Sequence, residues 1–139
     1  MPYVICYYHV IWATKYRQNL ISQQIEPVLF STIRHKSSQL KSDLHAVNAA
    51  NDHVHVAVEI APSIAIAEWV RQVKAVSARI INREFPDLES SFYWQGSYCI
   101  LSFGKKALPF VVRYIENQKD RHKNDDLEAY LEYLPDDGN

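Results

Sequence analysis

Two histidines stand two residues apart in a segment where they alternate with valines. They are His53 and His55, within the run from Asn51 to Ile60. Successive side chains of a strand point to opposite faces, so both imidazoles are predicted on one face and the valines on the other. Imidazole binds divalent metals, and two rings on one rigid strand can reach one ion. Two ligands alone do not define a metal site, so a half-buried strand with a polar face is an equal alternative.

A later segment adds a phenol and a carboxamide. Apolar residues at helical spacing predict an amphipathic helix that begins near Pro109. Tyr114 and Gln118 are four residues apart in it and therefore share one face. With basic neighbours such as Arg113 and Lys119, this pair is suited to hold a phosphodiester. The alternative is a tyrosine beside the apolar stripe with a solvated glutamine.

The elements that position these residues are predicted from periodicity and turn residues. Strands are expected over residues 3–14, 44–50, 53–60 and 93–102, and helices over 27–41 and 63–85, followed by the helix that carries Tyr114. Ser63 is the expected cap of the second helix. This order predicts an α+β, ferredoxin-like (split β-α-β) antiparallel sheet with helices on one face plus a C-terminal helix. His53 and His55 would then lie on the open face of the sheet.

Composition predicts one compact domain over residues 1–139, since 47% of the residues are hydrophobic. The formal net charge is −1, but it is unevenly distributed. An acidic tail, residues 125–139, holds six of the 16 acidic residues and no base, which leaves 10 acidic against 15 basic residues in 1–124. The tail is expected to dock as a short helix, because its apolar residues have helical spacing (Leu127, Tyr130, Leu131 and Leu134).

The remaining polar residues give few further constraints. Cys6 and Cys99 are too few for a disulfide framework, and both are expected to be buried in strands. His9, like the other histidines outside the pair, has no partner at ligand spacing and is predicted to be structural or solvated. No apolar run approaches the roughly 18 residues of a membrane helix and no signal peptide opens the chain. A cytoplasmic protein without a membrane partner is therefore expected.

Basic residues cluster after the first strand, along the second long helix and around Tyr114. We predict DNA contacts from these clusters at Lys15, Arg17, Arg71, Lys74, Arg79, Arg113 and Lys119. The alternative for each cluster is a solvated face without a ligand.

The chain resembles the HUH-type single-tyrosine transposases of small bacterial and archaeal insertion sequences, of which REP-associated tyrosine transposases are relatives. Five segments carry the resemblance, in the same order and spacing, over nearly the whole chain. They are residues 9–17, with the sequence HVIWATKYR, 51–59 with the histidine pair, 73–79, 94–98 with the sequence WQGSY, and 114–118 with the sequence YIENQ.

The resemblance implies a mechanism as well as a fold. Tyr114 would be the nucleophile that forms a covalent 5′-phosphotyrosine with single-stranded DNA carrying a hairpin. Gln118 would join His53 and His55 as the third metal ligand, and an oxygen donor beside two imidazoles suits Mg²⁺ or Mn²⁺. The bond can be resealed without ATP, so no nucleotide cofactor is expected. One tyrosine per chain implies a homodimer, and whether the helix completes its own site or its partner's stays open.

Two other functions stay open at this stage. A domesticated, non-mobile protein of the same fold would bind or process single strands or hairpins without transposition. A small metal-dependent hydrolase would use the histidines but need no tyrosine. Covalent attachment of the protein to a labelled oligonucleotide separates these functions from a transposase.

Overall fold

The computed structural model describes residues 3–123 and 129–135, and it gives the backbone alone for residues 121–123 and 129–130. The strands are β1 (Tyr7–Ala13), β2 (Asp43–Ala49), β3 (His53–Glu59) and β4 (Cys99–Phe103). The helices are α1 (Glu26–Gln39), α2 (Ile66–Glu84), α3 (Leu108–Glu116), α4 (Gln118–Lys123) and α5 (Ala129–Glu132). Short 3-10 turns occupy Lys15–Arg17 and Lys105–Ala107.

The four strands form one antiparallel sheet in the order β2-β3-β1-β4. This order confirms the predicted α+β, ferredoxin-like arrangement. Ile11 of β1 pairs with His55 of β3, and Ala13 pairs with His53, so these four side chains lie on one face of the sheet. Because β3 is hydrogen-bonded on both sides, the histidine pair lies on a rigid, central strand.

The first face of the sheet is covered by α1 and α2 and holds the main apolar core. Val54, Val56 and Val58 are fully buried there, as their alternation with the histidines predicts. Trp12 of β1 packs edge-to-face against Trp69 of α2, with ring centroids 6.3 Å apart. The apolar stripe of the long amphipathic helix α2 thus packs against the valine side of β3.

The second face is not open, and the sequence prediction is wrong on this point. Helix α3 packs across β2 and β3, where Val111 and Ile115 are buried against Ala46 and Ala57. Every residue from His53 to Val58 is buried. The alternation of imidazole and valine therefore marks two different buried environments, because the C-terminal helices cover the side that a four-stranded sheet alone would expose.

Element boundaries also differ from the predictions. β1 begins at Tyr7 and β4 at Cys99, so both strands are shorter than expected. Ser63 does not cap α2, whose N-cap residue is Ala65. The single helix predicted around Tyr114 is divided at Asn117, where the Asn48 side chain donates a 3.1 Å hydrogen bond to the Glu116 carbonyl oxygen.

Neither cysteine is fully buried. Cys6 is exposed and Cys99 is partly buried, so the expectation that both are buried strand residues is wrong. Within residues 3–123 and 129–135, no helix combines the length and apolarity that a membrane span requires.

Candidate metal centre and nucleophile

His53 and His55 lie side by side beneath the C-terminal helices. Their ring centroids are 5.0 Å apart, and the two residues are only 3% and 0% exposed. The two-residue repeat of β3 sets their spacing, and the pairing of β3 with β1 and β2 fixes its direction. Two buried imidazoles on one strand form the floor of the candidate site.

Tyr114 and Gln118 come down onto this floor from α3 and α4. Both residues are fully buried, and the Tyr114 ring centroid lies 6.2 Å from that of His55. Pro109 stands in the first turn of α3, where its fixed φ favours helix, and the apolar side of α3 packs onto the sheet. The predicted juxtaposition of histidines, tyrosine and glutamine is therefore present, although the helix is divided between Tyr114 and Gln118.

A carboxylate that the sequence analysis did not select joins all four side chains. Glu132 of α5 places its Oε1 3.4 Å from His53 Nε2 and 3.2 Å from His55 Nε2. Its Oε2 accepts hydrogen bonds from the Tyr114 hydroxyl and, at 3.1 Å, from Gln118 Nε2. The acidic tail thus docks as predicted, with Leu131 buried, whereas Leu127 and the Tyr130 side chain lie outside the described residues.

Glu132 is charged in this setting. Burial alone would raise the pKa of its carboxyl, but hydrogen bonds from His53, His55 and Tyr114 hold that pKa well below its ordinary range. Burial likewise would lower the pKa of His53, but hydrogen bonds with the Asp52 and Glu132 carboxylates raise it. The cluster is therefore an ion-paired network in which His53 gains a proton easily.

Asp52 orients His53 from the edge of the site. Its Oδ1 lies 2.7 Å from His53 Nδ1, and its Oδ2 accepts a 3.0 Å hydrogen bond from Arg17 Nε. Burial would raise the pKa of Asp52, but the hydrogen bonds from His53 and Arg17 lower it to about 2. A charged carboxylate on Nδ1 fixes the hydrogen there and leaves Nε2 directed into the site, the usual arrangement behind a metal-binding histidine.

His9 lies behind His55, so of the two predicted alternatives, structural or solvated, the structure has the structural one. His9 Nε2 and His55 Nδ1 are 2.9 Å apart, and His9 is 1% exposed. Burial and the neighbouring His55 lower the pKa of His9 to about 3, so this ring is neutral. A faint sequence signal for this contact was present. His9 and Ile11 are two residues apart on β1 and share a face, and Ile11 pairs with His55 of β3.

The donor set fits a divalent metal. The Nε2 atoms of both histidines approach the same oxygen of Glu132, and one ligand atom each from His53, His55 and Glu132 lies within 4.8 Å of the others. Gln118 Oε1 is buried without a hydrogen-bond partner among the described residues. An orphaned amide oxygen beside two imidazoles is a costly arrangement for folding alone and a suitable one for an ion.

The residues predicted to contact DNA are divided between the two faces of the sheet. Arg71, Lys74 and Arg79 lie on α2, on the valine side, whereas Arg113 and Lys119 lie on the helices of the histidine side. Lys15 and Arg17 form a turn at the end of β1, and both Tyr16 and Arg17 adopt positive φ.

Several of these cations already have partners within the protein. The Lys74 ammonium donates to the carbonyl oxygens of Gln95 at 2.6 Å and Ser97 at 3.2 Å. Arg71 donates two hydrogen bonds to Glu68, at 2.9 and 2.5 Å. The Lys119 ammonium contacts Glu26 and donates to the Ala49 carbonyl oxygen at 2.8 Å. Arg79 and Arg113 are exposed.

Comparisons with known proteins agree with this arrangement. The family model described as "Transposase IS200 like" matches residues 3–118. The ISDra2 transposase TnpA of Deinococcus radiodurans is 30% identical over 118 residues, which are 82% of this chain and 84% of that protein. The transposase for insertion sequence element IS200 of Salmonella typhimurium is 23% identical over 122 residues, 85% of this chain and 80% of that protein.

Two solved structures have a similar fold. One is a Deinococcus radiodurans protein described as a transposase, with a TM-score of 0.70 and 32% identity over 85% of this chain and 95% of that one. The other is a REP-associated tyrosine transposase bound to a REP hairpin, with a TM-score of 0.65 over 88% of this chain and 72% of that one. The second is 14% identical and supports the fold alone.

Proposed function

Because the chain belongs to the IS200-like transposase family, we propose that it nicks and rejoins single-stranded DNA through a covalent 5′-phosphotyrosine at Tyr114. One observation carries this proposal: the Tyr114 hydroxyl and the Nε2 atoms of His53 and His55 converge on the two oxygens of the single carboxylate of Glu132. A tetrahedral phosphate in that position would have an oxygen at the imidazoles and its phosphorus next to the tyrosine hydroxyl.

The reaction assigned to Tyr114 is a transesterification. Its hydroxyl oxygen attacks phosphorus and loses its proton, the bond from phosphorus to the 3′ oxygen breaks, and that oxygen leaves as a 3′-hydroxyl. The phosphotyrosine keeps the energy of the phosphodiester, so a 3′-hydroxyl of another strand can reverse the step without ATP. The packing of α3 on the sheet through Val111 and Ile115 holds the helix that carries Tyr114 in one orientation, which favours in-line attack.

His53, His55 and Gln118 are assigned to hold Mg²⁺ or Mn²⁺. Neutral Nε2 atoms and an amide oxygen form a donor set that both ions accept. When bound, the ion supplies charge stabilisation and orientation for the phosphoryl group. Asp52 and His9 keep the two rings aimed from behind, at 2.7 and 2.9 Å.

Helix α5 has to move for DNA to enter. Tyr114, Gln118 and His55 are each 0% exposed with Glu132 in place, and a DNA strand cannot reach a fully buried hydroxyl. Glu132 occupies the space between nucleophile and imidazoles that the scissile phosphate needs, and two negative charges there repel. We assign α5 as a removable cover whose carboxylate stands in for the phosphate.

The proposed partners are single-stranded DNA with a hairpin and a second copy of the chain. A hairpin offers both a stem to recognise and an unpaired, flexible strand to cut. A similar fold has been solved with a REP hairpin bound, which supports this partner. Two nicks by a protein with one nucleophilic tyrosine require two chains, which supports a homodimer whose sites assemble either within each chain or across the pair.

A denaturing gel tests the proposal. The protein is incubated with Mn²⁺ and an end-labelled strand that carries a hairpin from the DNA flanking its gene, and with the same sequence as a full duplex. We expect a protease-sensitive, slowly migrating adduct from the single strand only. Binding without an adduct would support a domesticated binding protein, and cleavage without an adduct would support a hydrolase; either result contradicts the proposal.

A further inference from the structure

His9 is a fully buried titratable residue that takes no direct part in the proposed chemistry. Its ring faces that of His55 at a centroid distance of 5.1 Å and an interplanar angle of 31°. Its Nε2 lies 2.9 Å from His55 Nδ1, and its Nδ1 has no hydrogen-bond partner among the described residues. A buried nitrogen without a hydrogen-bond partner costs stability, so the presence of a histidine ring here calls for another explanation.

We propose that His9 is a positioning residue that sets which nitrogen of His55 carries the hydrogen and thereby presents the His55 Nε2 lone pair to the metal. The inference rests on the proposed metal role of His53 and His55. A neutral imidazole has one N–H and one lone pair, so the hydrogen bond on one nitrogen decides the state of the other.

In the arrangement seen in the structure, His55 Nε2 faces the Glu132 carboxylate at 3.2 Å. A carboxylate only accepts, so His55 Nε2 carries a hydrogen, and in the neutral ring Nδ1 is then a lone pair. His9 Nε2 must then donate to it. The unpaired His9 Nδ1 is a lone pair in this state, which is less costly to bury than an unpaired N–H.

Metal binding requires the opposite arrangement. His55 Nε2 becomes a lone pair, so Nδ1 carries the hydrogen and donates to His9 Nε2, whose own hydrogen moves to Nδ1. Both rings stay neutral and keep the same number of hydrogens, and the direction of their shared hydrogen bond reverses. Imidazole can act as donor or acceptor at the same nitrogen position, which a carboxylate cannot do.

The two histidines of the site are therefore supported differently. Asp52 fixes the His53 hydrogen on Nδ1 permanently, because its carboxylate accepts at 2.7 Å. His9 allows His55 to alternate between a donor toward Glu132 and a ligand toward metal. This difference explains why the buried residue behind His55 is a histidine, whereas the residue behind His53 is an aspartate.

The first test measures the hydrogens directly, without DNA and without activity. Long-range proton–nitrogen NMR of ¹⁵N-histidine-labelled protein at about pH 8, more than a unit above the ordinary histidine pKa, identifies the protonated nitrogen of each ring. We expect His9 and His55 to be Nε2–H without metal and both Nδ1–H with Mg²⁺. Unchanged nitrogen assignments at His9 on adding saturating Mg²⁺ would overturn the proposal.

The second test uses two matched variants and Mn²⁺ binding followed by electron paramagnetic resonance. In His9→Gln the amide reaches the position of Nε2 and can donate or accept, whereas in His9→Asn it is too short to reach His55. We expect Mn²⁺ affinity to fall about 10–100-fold in His9→Asn, as for other partners behind a metal ligand, and to be largely restored in His9→Gln.

The exposed His35, which contacts Gln39 on α1, provides the control His35→Asn and should bind Mn²⁺ as the unmodified protein does. Equal Mn²⁺ affinity of folded His9→Asn and His9→Gln would overturn the positioning role. If His9→Asn fails to fold, the NMR result on the unmodified chain decides. Failure of the proposed function is distinguishable, because the adduct gel reports on Tyr114 whereas these measurements contain no DNA.

Discussion

On one side of β3, Val54, Val56 and Val58 are enclosed by α1 and α2; on the other, His53 and His55 are enclosed by α3 and α5. Both sides are equally inaccessible to water. The valine side gains stability from apolar burial, about 1.5–3 kcal/mol per side chain. The histidine side has to compensate the desolvation of imidazoles and a carboxylate with hydrogen bonds, and among the described residues Gln118 Oε1 still has no hydrogen-bond partner.

The difference between the two sides of β3 indicates where function resides. A side chosen for stability would be filled like the valine side, where the packing is apolar and Trp12 Nε1 is the polar atom buried without a hydrogen-bond partner among the described residues. The histidine side instead keeps a polar set that is satisfied only in part, next to a helix that covers it. Function is therefore expected to be lost by changes on one side and stability by changes on the other.

The largest expected effect is at the nucleophile. Tyr114→Phe removes one hydroxyl and keeps the ring, so we expect the covalent adduct to vanish while binding of the hairpin strand and the melting temperature stay nearly unchanged. The gel assay and a thermal melt measure this. An adduct that persists in the Phe variant would identify another tyrosine as the nucleophile.

The next prediction compares the two sides directly. His55→Ala should lower Mn²⁺ affinity by more than the roughly 100-fold that loss of a supporting partner costs, and nicking should fall with it. Val56→Ala, next in sequence and fully buried, should instead destabilise the fold by about 2 kcal/mol while the folded fraction still nicks. EDTA should reproduce the His55→Ala result. If Val56→Ala abolished nicking in folded protein, the division between the two sides would be wrong.

Acid should weaken metal binding through His53. The His53 ring binds metal only when its Nε2 carries no proton. Because the pKa of His53 is raised, protons begin to compete with the metal at a pH above the ordinary histidine pKa of about 6.5. Mn²⁺ affinity should therefore fall as pH drops through that window, by up to tenfold per unit. Asp52→Asn removes one cause of the raised pKa, so it should move this fall to lower pH while reducing affinity about 10–100-fold at high pH. An unchanged midpoint would exclude the Asp52 effect.

Removal of the Glu132 carboxylate, which belongs to the covering helix α5, is expected to change the nicking rate less and in the opposite direction. Glu132→Ala removes the carboxylate from the phosphate position and weakens the docking of α5, so the initial nicking rate should rise several-fold. Glu116→Ala, an exposed acid on α3, is the control for lost negative charge alone. A fall in nicking with Glu132→Ala would mean that this carboxylate assists the reaction instead of blocking it.

The smallest effects concern DNA contacts on opposite faces. Arg113 lies on α3, on the histidine side, and Arg79 lies on α2, on the valine side. Arg113→Ala should weaken hairpin-strand binding and reduce the salt slope by about one phosphate contact, and Arg79→Ala should do less. Binding titrations at several salt concentrations measure both. Equal losses would mean that DNA reaches around the sheet to both faces.

The sequence by itself determined the order of elements and the pairing of ligand types. Alternation along residues 53–60 placed two imidazoles on one side of a strand, and a four-residue spacing placed Tyr114 above Gln118, because both patterns follow from backbone geometry that is local in the chain. The resemblance added the family, which the comparisons confirm, and the roles of these residues, which stay predictions.

Only the tertiary structure decided what lies on the histidine side. Periodicity separates one side of a strand from the other, but it cannot say whether the polar side is covered by water or by a helix from the far end of the chain. Glu132 is 77 residues from His55, and His9 is 46 residues away from it. Such contacts depend on how the sheet closes and where the tail docks, so no local spacing identifies the carboxylate in the site or the ring behind it.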